Sequence, residues 1–286
     1  MSFDPNAHRE ASLQGWEEAA PGWARQQEAL REFSAPVSHW MIDAIAPQPG
    51  GRVLELAAGL GETGMLAAEL VAPMGGVVVS DQAEAMLASA RERAAQLGLS
   101  NVEFQVLNAE WIDLPVASVD AVLCRWGYML MADPLAALIE TRRVLRPGGW
   151  LAFAVWDAIE HNPWAQLPGA ELRERGLVAG WAGLSSGTPG PFALGSVEEV
   201  RRLLEKAGFA EIAVETIGLL RRHPGFTDLW ETTLDLSRSF HDAVLSRPQG
   251  EIEEIEQAVK RRFVPYEAAD GSLEVPARTI VASESA

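Results

Sequence analysis

The stretch from Glu55 to Gly64 reads Glu-Leu-Ala-Ala-Gly-Leu-Gly-Glu-Thr-Gly and sets Gly59, Gly61 and Gly64 in a G-x-G-x-x-G spacing. Glycines spaced this way, between a short apolar run and a helix, let backbone approach a nucleoside ligand closely. Asp81 stands 20 residues after Gly61, at the end of the next apolar run. A carboxylate there suits the hydroxyls of a ribose. On spacing alone, a nicotinamide dinucleotide fits this loop as well as other nucleosides do.

The charges around the loop separate those ligands. A dinucleotide places a doubly negative pyrophosphate on the turn and on the helix that follows it. Glu55 ends the first run and Glu62 lies inside the turn, with no Lys or Arg between Arg52 and Arg91. A carboxylate about 4 Å from a phosphate charge costs about 4 kcal/mol at an effective dielectric of about 20. The absence of Lys after the glycines also excludes a P-loop. A cofactor with a cationic head and no phosphate fits better. S-adenosylmethionine carries a sulfonium, an ammonium and one carboxylate; Glu55 would favour its amino-acid end and Asp81 its ribose.

Five segments, in order, resemble the class I S-adenosylmethionine-dependent methyltransferases. Val53 to Gly64 is similar to that family's acidic-x-Gly-x-Gly-x-Gly motif, and Val78 to Leu87 to the motif whose acidic residue, here Asp81 beside Gln82, binds ribose. Asn108-Ala109-Glu110 stands where the family often has Asp-Ala-Glu. The resemblance implies that the residue 108 side chain and the residue 109 backbone read the adenine. Val119 to Gly127 resembles the fourth motif, which brings Arg125 near the methionine end. Val144 to Gly149 resembles the helix-to-fifth-strand signature. The set covers about residues 50–156 and is most similar to the ubiquinone/menaquinone C-methyltransferase-like (type 11) branch. Two positions depart. Ala57 replaces a glycine, and a positive φ there would be costly. Asn108 replaces an aspartate, and its amide oxygen can still accept from an adenine amino group.

These residues need elements to hold them. Apolar runs at Val53–Leu56, Gly76–Ser80, Val102–Leu107, Val119–Cys124 and Trp150–Trp156 alternate with helical stretches at roughly Gly64–Leu70, up to Leu97, and from Pro134. Such alternation predicts an α/β, Rossmann-like, mostly parallel sheet with helices on both faces. Gly98 reads as a helix-ending glycine. Asp133-Pro134 reads as an N-cap followed by a first-turn proline. Ser196-x-x-Glu199 reads as a capping box. Ala210–Leu219 and Leu273–Ala282 complete seven strands, the last antiparallel by the resemblance. The whole chain, 1–286, reads as one domain: an N-terminal helical lid (1–50), a cofactor-binding core (51–156), two helical cap segments (157–196 and 219–263) and a last strand (273–283).

Net charge is 23 − 40 = −17. This disfavours nucleic acid and anionic membranes as partners. One cysteine, Cys124, excludes an internal disulfide and Cys-rich zinc sites, and none of the five histidines has metal-ligand spacing. Met1–Arg9 lacks the apolar core of a signal peptide. The uncharged run Gly176–Val197 is too rich in Gly and Pro for a membrane helix and reads as a loop. A cytoplasmic protein without integral membrane segments is expected.

The expected reaction is in-line transfer of the sulfonium methyl group to a small acceptor. Ten tryptophans are many for this length. Trp126 and Trp156 fall at the carboxyl edge of the sheet, and Trp23 lies in a lid helix with Trp16. This aromatic lining suits a hydrophobic or aromatic acceptor. His161, after the fifth strand, is the candidate side chain for proton transfer. Three other readings stay open: the same fold without methyl transfer, as a cyclase or binding module; a nicotinamide-dependent oxidoreductase; and methylation of a basic protein.

Overall fold

The centre of the sheet is built from short, mostly apolar runs. In the computed structural model, which describes residues 3–178 and 188–286, β1 (Arg52–Glu55), β2 (Gly76–Asp81) and β4 (Val119–Arg125) lie side by side. The order of the seven strands is β3-β2-β1-β4-β5-β7-β6, with β3 at Val102–Val106, β5 at Leu145–Trp156, β6 at Ala210–His223 and β7 at Leu273–Ser285. β1 to β5 are parallel, and β7 runs antiparallel to both β5 and β6. The order reverses between β1 and β4, which opens a crevice at their carboxyl ends, where open α/β sheets bind ligands.

Helices α3 (Glu62–Val71), α4 (Glu84–Leu97), α5 (Pro134–Val144) and α7 (Val197–Ala207) connect the strands. The expected punctuation is present. Gly98 caps α4 at φ +70°, the Asp133 carboxylate accepts from Ala136 N at the start of α5, and Ser196 Oγ accepts from Glu199 N. α1 (Pro5–Arg25) and α2 (Gln27–Ile45) precede the sheet. Val37, Met41 and Ile45 of α2 are buried, while Trp40 is half-exposed and donates its indole N–H to Glu215.

Three boundaries and one burial pattern differ from the sequence reading. α3 begins two residues earlier, at Glu62. β3 is not buried on both faces; it is the sheet edge, and Val106 is exposed. β5 starts at Leu145, before Pro147-Gly148-Gly149, because Leu145 already pairs with Val119 across an irregularity in the ladder. β6 runs four residues past Leu219, because its ladder with β7 continues through Arg221↔Val275 to His223↔Leu273. The second cap segment therefore begins after His223, as α8 (Phe226–Leu236), α9 (Arg238–Leu245) and α10 (Gln249–Phe263). With α6 (Pro163–Glu174), these helices share a second apolar cluster around Leu172, Trp230, Phe240, Ile255 and Phe263. A third cluster sets Ala19, Ala20 and Leu30 of α1 and α2 against Leu60, Ala83 and Met86. Residues 179–187, within the run expected to be a loop, lie outside the described residues. Among the described residues no helix is long and apolar enough to cross a membrane.

β7 carries one conflict with its surroundings. Glu284 is buried, neither carboxylate oxygen has a hydrogen-bond partner among the described residues, and burial pushes its carboxyl well above the ordinary range. The folded chain thus keeps a proton that the unfolded chain releases, so stability falls as pH rises past the unfolded value. Glu284→Met should stabilise the protein by about 1–3 kcal/mol at pH 8. The gain should shrink toward pH 5, as read from paired denaturant titrations.

Candidate active site

β1 delivers the chain into the glycine loop, and β2 ties that loop down. Ala58 N donates to Ser80 O, Ser80 Oγ donates to Glu55 O, and Gly59 N donates to Asp81 Oδ2 at 2.8 Å. Asp81 Oδ1 accepts from Ala83 N at 2.9 Å. Asp81 is thus the clasp of the loop and not the N-cap of α4, a position held by Ala83. Its burial raises the carboxyl pKa, against the pull of the backbone N–H groups of Ala83, Gly59 and Gln82. Gly59 is left-handed at φ +54° with open space where a Cβ would stand. Ala57 does adopt the costly conformation, at φ +49°.

A cavity of about 120 Å³ opens beside this loop. Gly59, Asp81, Gln82, Asn108, Ala109, Glu110 and Arg125 all line it, as do Trp23 and Trp126. Gln82 donates to Ser12 Oγ of α1. Asn108 closes a short turn, its side-chain oxygen accepting from Glu110 N at 2.8 Å. Glu110 is held by Arg9, at 2.5 Å from Nη2 and 3.1 Å from Nε, and also accepts from Ala132 N. Arg125 stacks its guanidinium 4.8 Å from the Trp126 ring centroid and donates to Thr63 Oγ1. Burial lowers its pKa, and Glu55 opposes that shift.

Two of the expected cofactor residues lie behind the cavity wall. Gly61 does not line the cavity; it packs toward Met65, Val79 and Ala90. Glu55 does not line it either. The reason is Gly64, where a Cβ would collide with Glu55 Oε2, so the carboxylate tucks under the start of α3. There Oε2 has no hydrogen-bond partner among the described residues, and burial pushes the carboxyl up to about 8, with Arg125 pulling the other way. The local charge count also changes. Arg9, Arg31 and Arg125 reach the cavity from outside the 52–91 window and offset Glu62, Asp81 and Glu110. Local charges therefore do not by themselves bar a diphosphate, because the fold imports the balancing arginines.

A second, larger cavity of about 360 Å³ adjoins the first. The two share Ser12, Trp16, Trp23, Leu30, Trp126 and Leu130 as a common wall. Trp126 sits at φ +60°, an outlier for a bulky side chain of the kind that persists at functional sites. Its indole donates to Thr279 Oγ1 and stacks on Trp156, with centroids 4.3 Å apart and planes at 14°. Phe33 and Trp164 extend this aromatic lining. Trp156 therefore faces the second cavity alone.

His161 lines neither cavity and is exposed. Asn162 donates to Asp157 O and Arg278 O, which pins the chain to β7 and turns the preceding residue outward. The histidine that lines the larger cavity is His223, with Arg221 two residues before it on β6. Both fall beyond the strand end assigned from sequence. The alternation Leu219, Arg221, His223 was the available signal. Cys124 is buried, and that burial pushes its thiol up to about 12, which fits packing and not nucleophilic chemistry.

Sheet order, glycine loop and the carboxylate that clasps it at the end of β2 together define an α/β domain of the methyltransferase class. Residues 47–208 match a family model described as "Methyltransferase domain", and the chain belongs to that family of S-adenosylmethionine-dependent enzymes. The chain is 34% identical over 122 residues to aklanonic acid methyltransferase DauC of Streptomyces sp. (strain C5), covering 43% of this chain and 56% of that protein. It is 36% identical over 111 residues to ubiquinone/menaquinone biosynthesis C-methyltransferase UbiE of Pasteurella multocida, covering 38% and 41%. The chain thus spans about half the length of the curated relatives it matches. The solved YcgJ protein of Bacillus subtilis shares the fold, with a TM-score of 0.57 and 18% identity over 87% of this chain and 97% of that one.

Proposed function

We propose that this protein transfers the methyl group of S-adenosylmethionine to an apolar, aromatic small molecule held in the larger cavity. One observation carries the reading: the nucleoside-side cavity and the aromatic chamber share a wall at Trp23 and Trp126, so donor and acceptor meet there.

The residues fit the donor. Asp81 keeps acceptor capacity for ribose hydroxyls beyond its two backbone bonds. Asn108 and Ala109 flank the adenine position, and Arg125 offers a cation to the amino-acid carboxylate. When bound, S-adenosylmethionine supplies a methyl group on a cationic sulfur, ready for displacement. The chain's own work is to align the acceptor with that methyl, which can supply about 7–11 kcal/mol. Helix α1 and cap helices α6 and α8, which line the chamber, exclude water from it.

Glu55 acts from behind the loop. Its carboxyl, at about 8, keeps a proton at neutral pH until a cation occupies the adjoining cavity. A cationic ligand binds better to the ionised form, so its affinity rises with pH up to about that value. Titration calorimetry should show the preference for S-adenosylmethionine over neutral-sulfur S-adenosylhomocysteine growing about threefold to tenfold from about pH 6.5 to 8.5. Glu55→Gln should flatten that trend. Neither ligand binding, with NAD binding instead, would end the reading.

A further inference from the structure

The larger cavity contradicts the charge of the molecule around it. The chain carries a net charge of −17, yet no Asp or Glu lines this chamber among the described residues. Two arginines and one histidine do. Arg238 is neutralised by Glu18 and Asp242. His223 turns Nδ1 to Asp228 Oδ2 at 2.7 Å, and burial lowers its pKa, so it adds no full charge near neutrality.

Arg221 is different. Among the described residues it has no hydrogen bond and no ion pair; the Phe33 ring lies 5.6 Å from its guanidinium. Residues 179–187 contain no Asp or Glu that could pair with it. Burial pushes its pKa down to about 10, with Asp228 opposing, so it remains a cation at neutral pH. Arg221 is half-buried and feels the Asp228 carboxylate without a direct ion pair, so its guanidinium donors are left facing the cavity. The indole N–H of Trp23, on the shared wall, is buried and has no partner among the described residues. Both unmet groups are donors, so the missing partner must bring acceptor oxygens. Arg221 lines only the larger cavity, which separates it from Arg125 and the donor's carboxylate.

We infer that the acceptor is an aromatic acid, a monoanion whose carboxylate or ionised phenolic oxygen is held by Arg221 while its rings lie against Phe33, Trp126, Trp156 and Trp164. The inference rests on the reading of this chamber as the acceptor's site, and it names the acceptor's chemical class. The anion is an anchor, and the methylated atom lies toward Trp126. A guanidinium paired to the attacking oxygen would hold back the lone pair that must be donated.

Calorimetry with 2-naphthoate and its neutral analogue 2-acetylnaphthalene tests this, with and without S-adenosylhomocysteine. The wild type should bind the acid at least about tenfold more tightly than the ketone, the gain of one desolvated ion pair. Arg221→Lys should keep the preference. Arg221→Gln should reduce it to within about twofold while leaving the ketone's affinity unchanged. Equal binding of acid and ketone by the wild type overturns the inference whether or not any variant folds. Survival of the preference in Arg221→Gln overturns it as well. S-adenosylhomocysteine affinity is read in the same titrations. Its loss in the wild type would remove the methyl-transfer reading and leave the acid–ketone comparison standing by itself.

Discussion

Asp81→Ala should raise the dissociation constant for S-adenosylhomocysteine by at least about a hundredfold. The carboxylate is asked to do two things at once. It fixes Gly59 N and Ala83 N at 2.8 and 2.9 Å, and it presents its remaining lone pairs to the cavity. Hydrogen bonds to a charged group contribute about 1.5–3 kcal/mol each, so losing two corresponds to about 3–6 kcal/mol, or more than two decades in affinity. Asp81→Asn separates the two duties, because the amide keeps an oxygen for one N–H but offers less to a ribose. Its amide nitrogen faces the other N–H, so calorimetry with thermal melts should show a stability loss of about 1–3 kcal/mol and an affinity loss of at least about tenfold. Binding within threefold of wild type in both variants would make Asp81 a loop clasp and nothing more.

Gly127→Ala should displace the glycine loop, and Ala57→Gly should partly restore it. A Cβ at Gly127 would stand 2.6 Å from the Ala57 Cβ and 2.6 Å from Cys124 Sγ. Overpacking of that kind costs about 1–3 kcal/mol. Here the strain falls on the segment that cradles the nucleoside, so stability and donor affinity should drop together. Ala57→Gly alone removes a left-handed alanine, which costs about 1–2 kcal/mol relative to its relaxed state. That gain exceeds the extra chain entropy of glycine, so its melting temperature should rise by a few degrees. In the double variant the Ala57 clash is gone and the Cys124 contact remains, so the cycle should show a favourable coupling above about 0.5 kcal/mol. Strict additivity would mean that the two backbones move apart freely.

Much of the core was readable because local chemistry dictates it. Glycines mark the loop, apolar β-branched runs mark the buried strands, and Asp81 stands at a strand end where only a few roles are open to a carboxylate. What escaped reading depends on contacts far apart in the chain. Glu55 is turned inward by the missing side chain at Gly64, and no rule of spacing states that. Arg9 meets Glu110 across 101 positions, which filled the charge gap left by a local count. β6 reads as ending at Leu219 in sequence, yet its pairing with β7 carries it on to His223. The two most informative polar residues of the larger chamber lie in that extension. His161 follows the fifth strand in sequence, and a turn pinned by Asn162 sends it to solvent.

Helix α1 contributes Ser12, Trp16 and Trp23 to both compartments, and its first turns are fastened by Arg9 to Glu110 and by His8 Nε2 to Leu130 O at 2.9 Å. One roof thus covers two rooms. On the methyl-transfer reading, spent donor and finished product would leave past the same helix, and one opening of it would set the residence time of both.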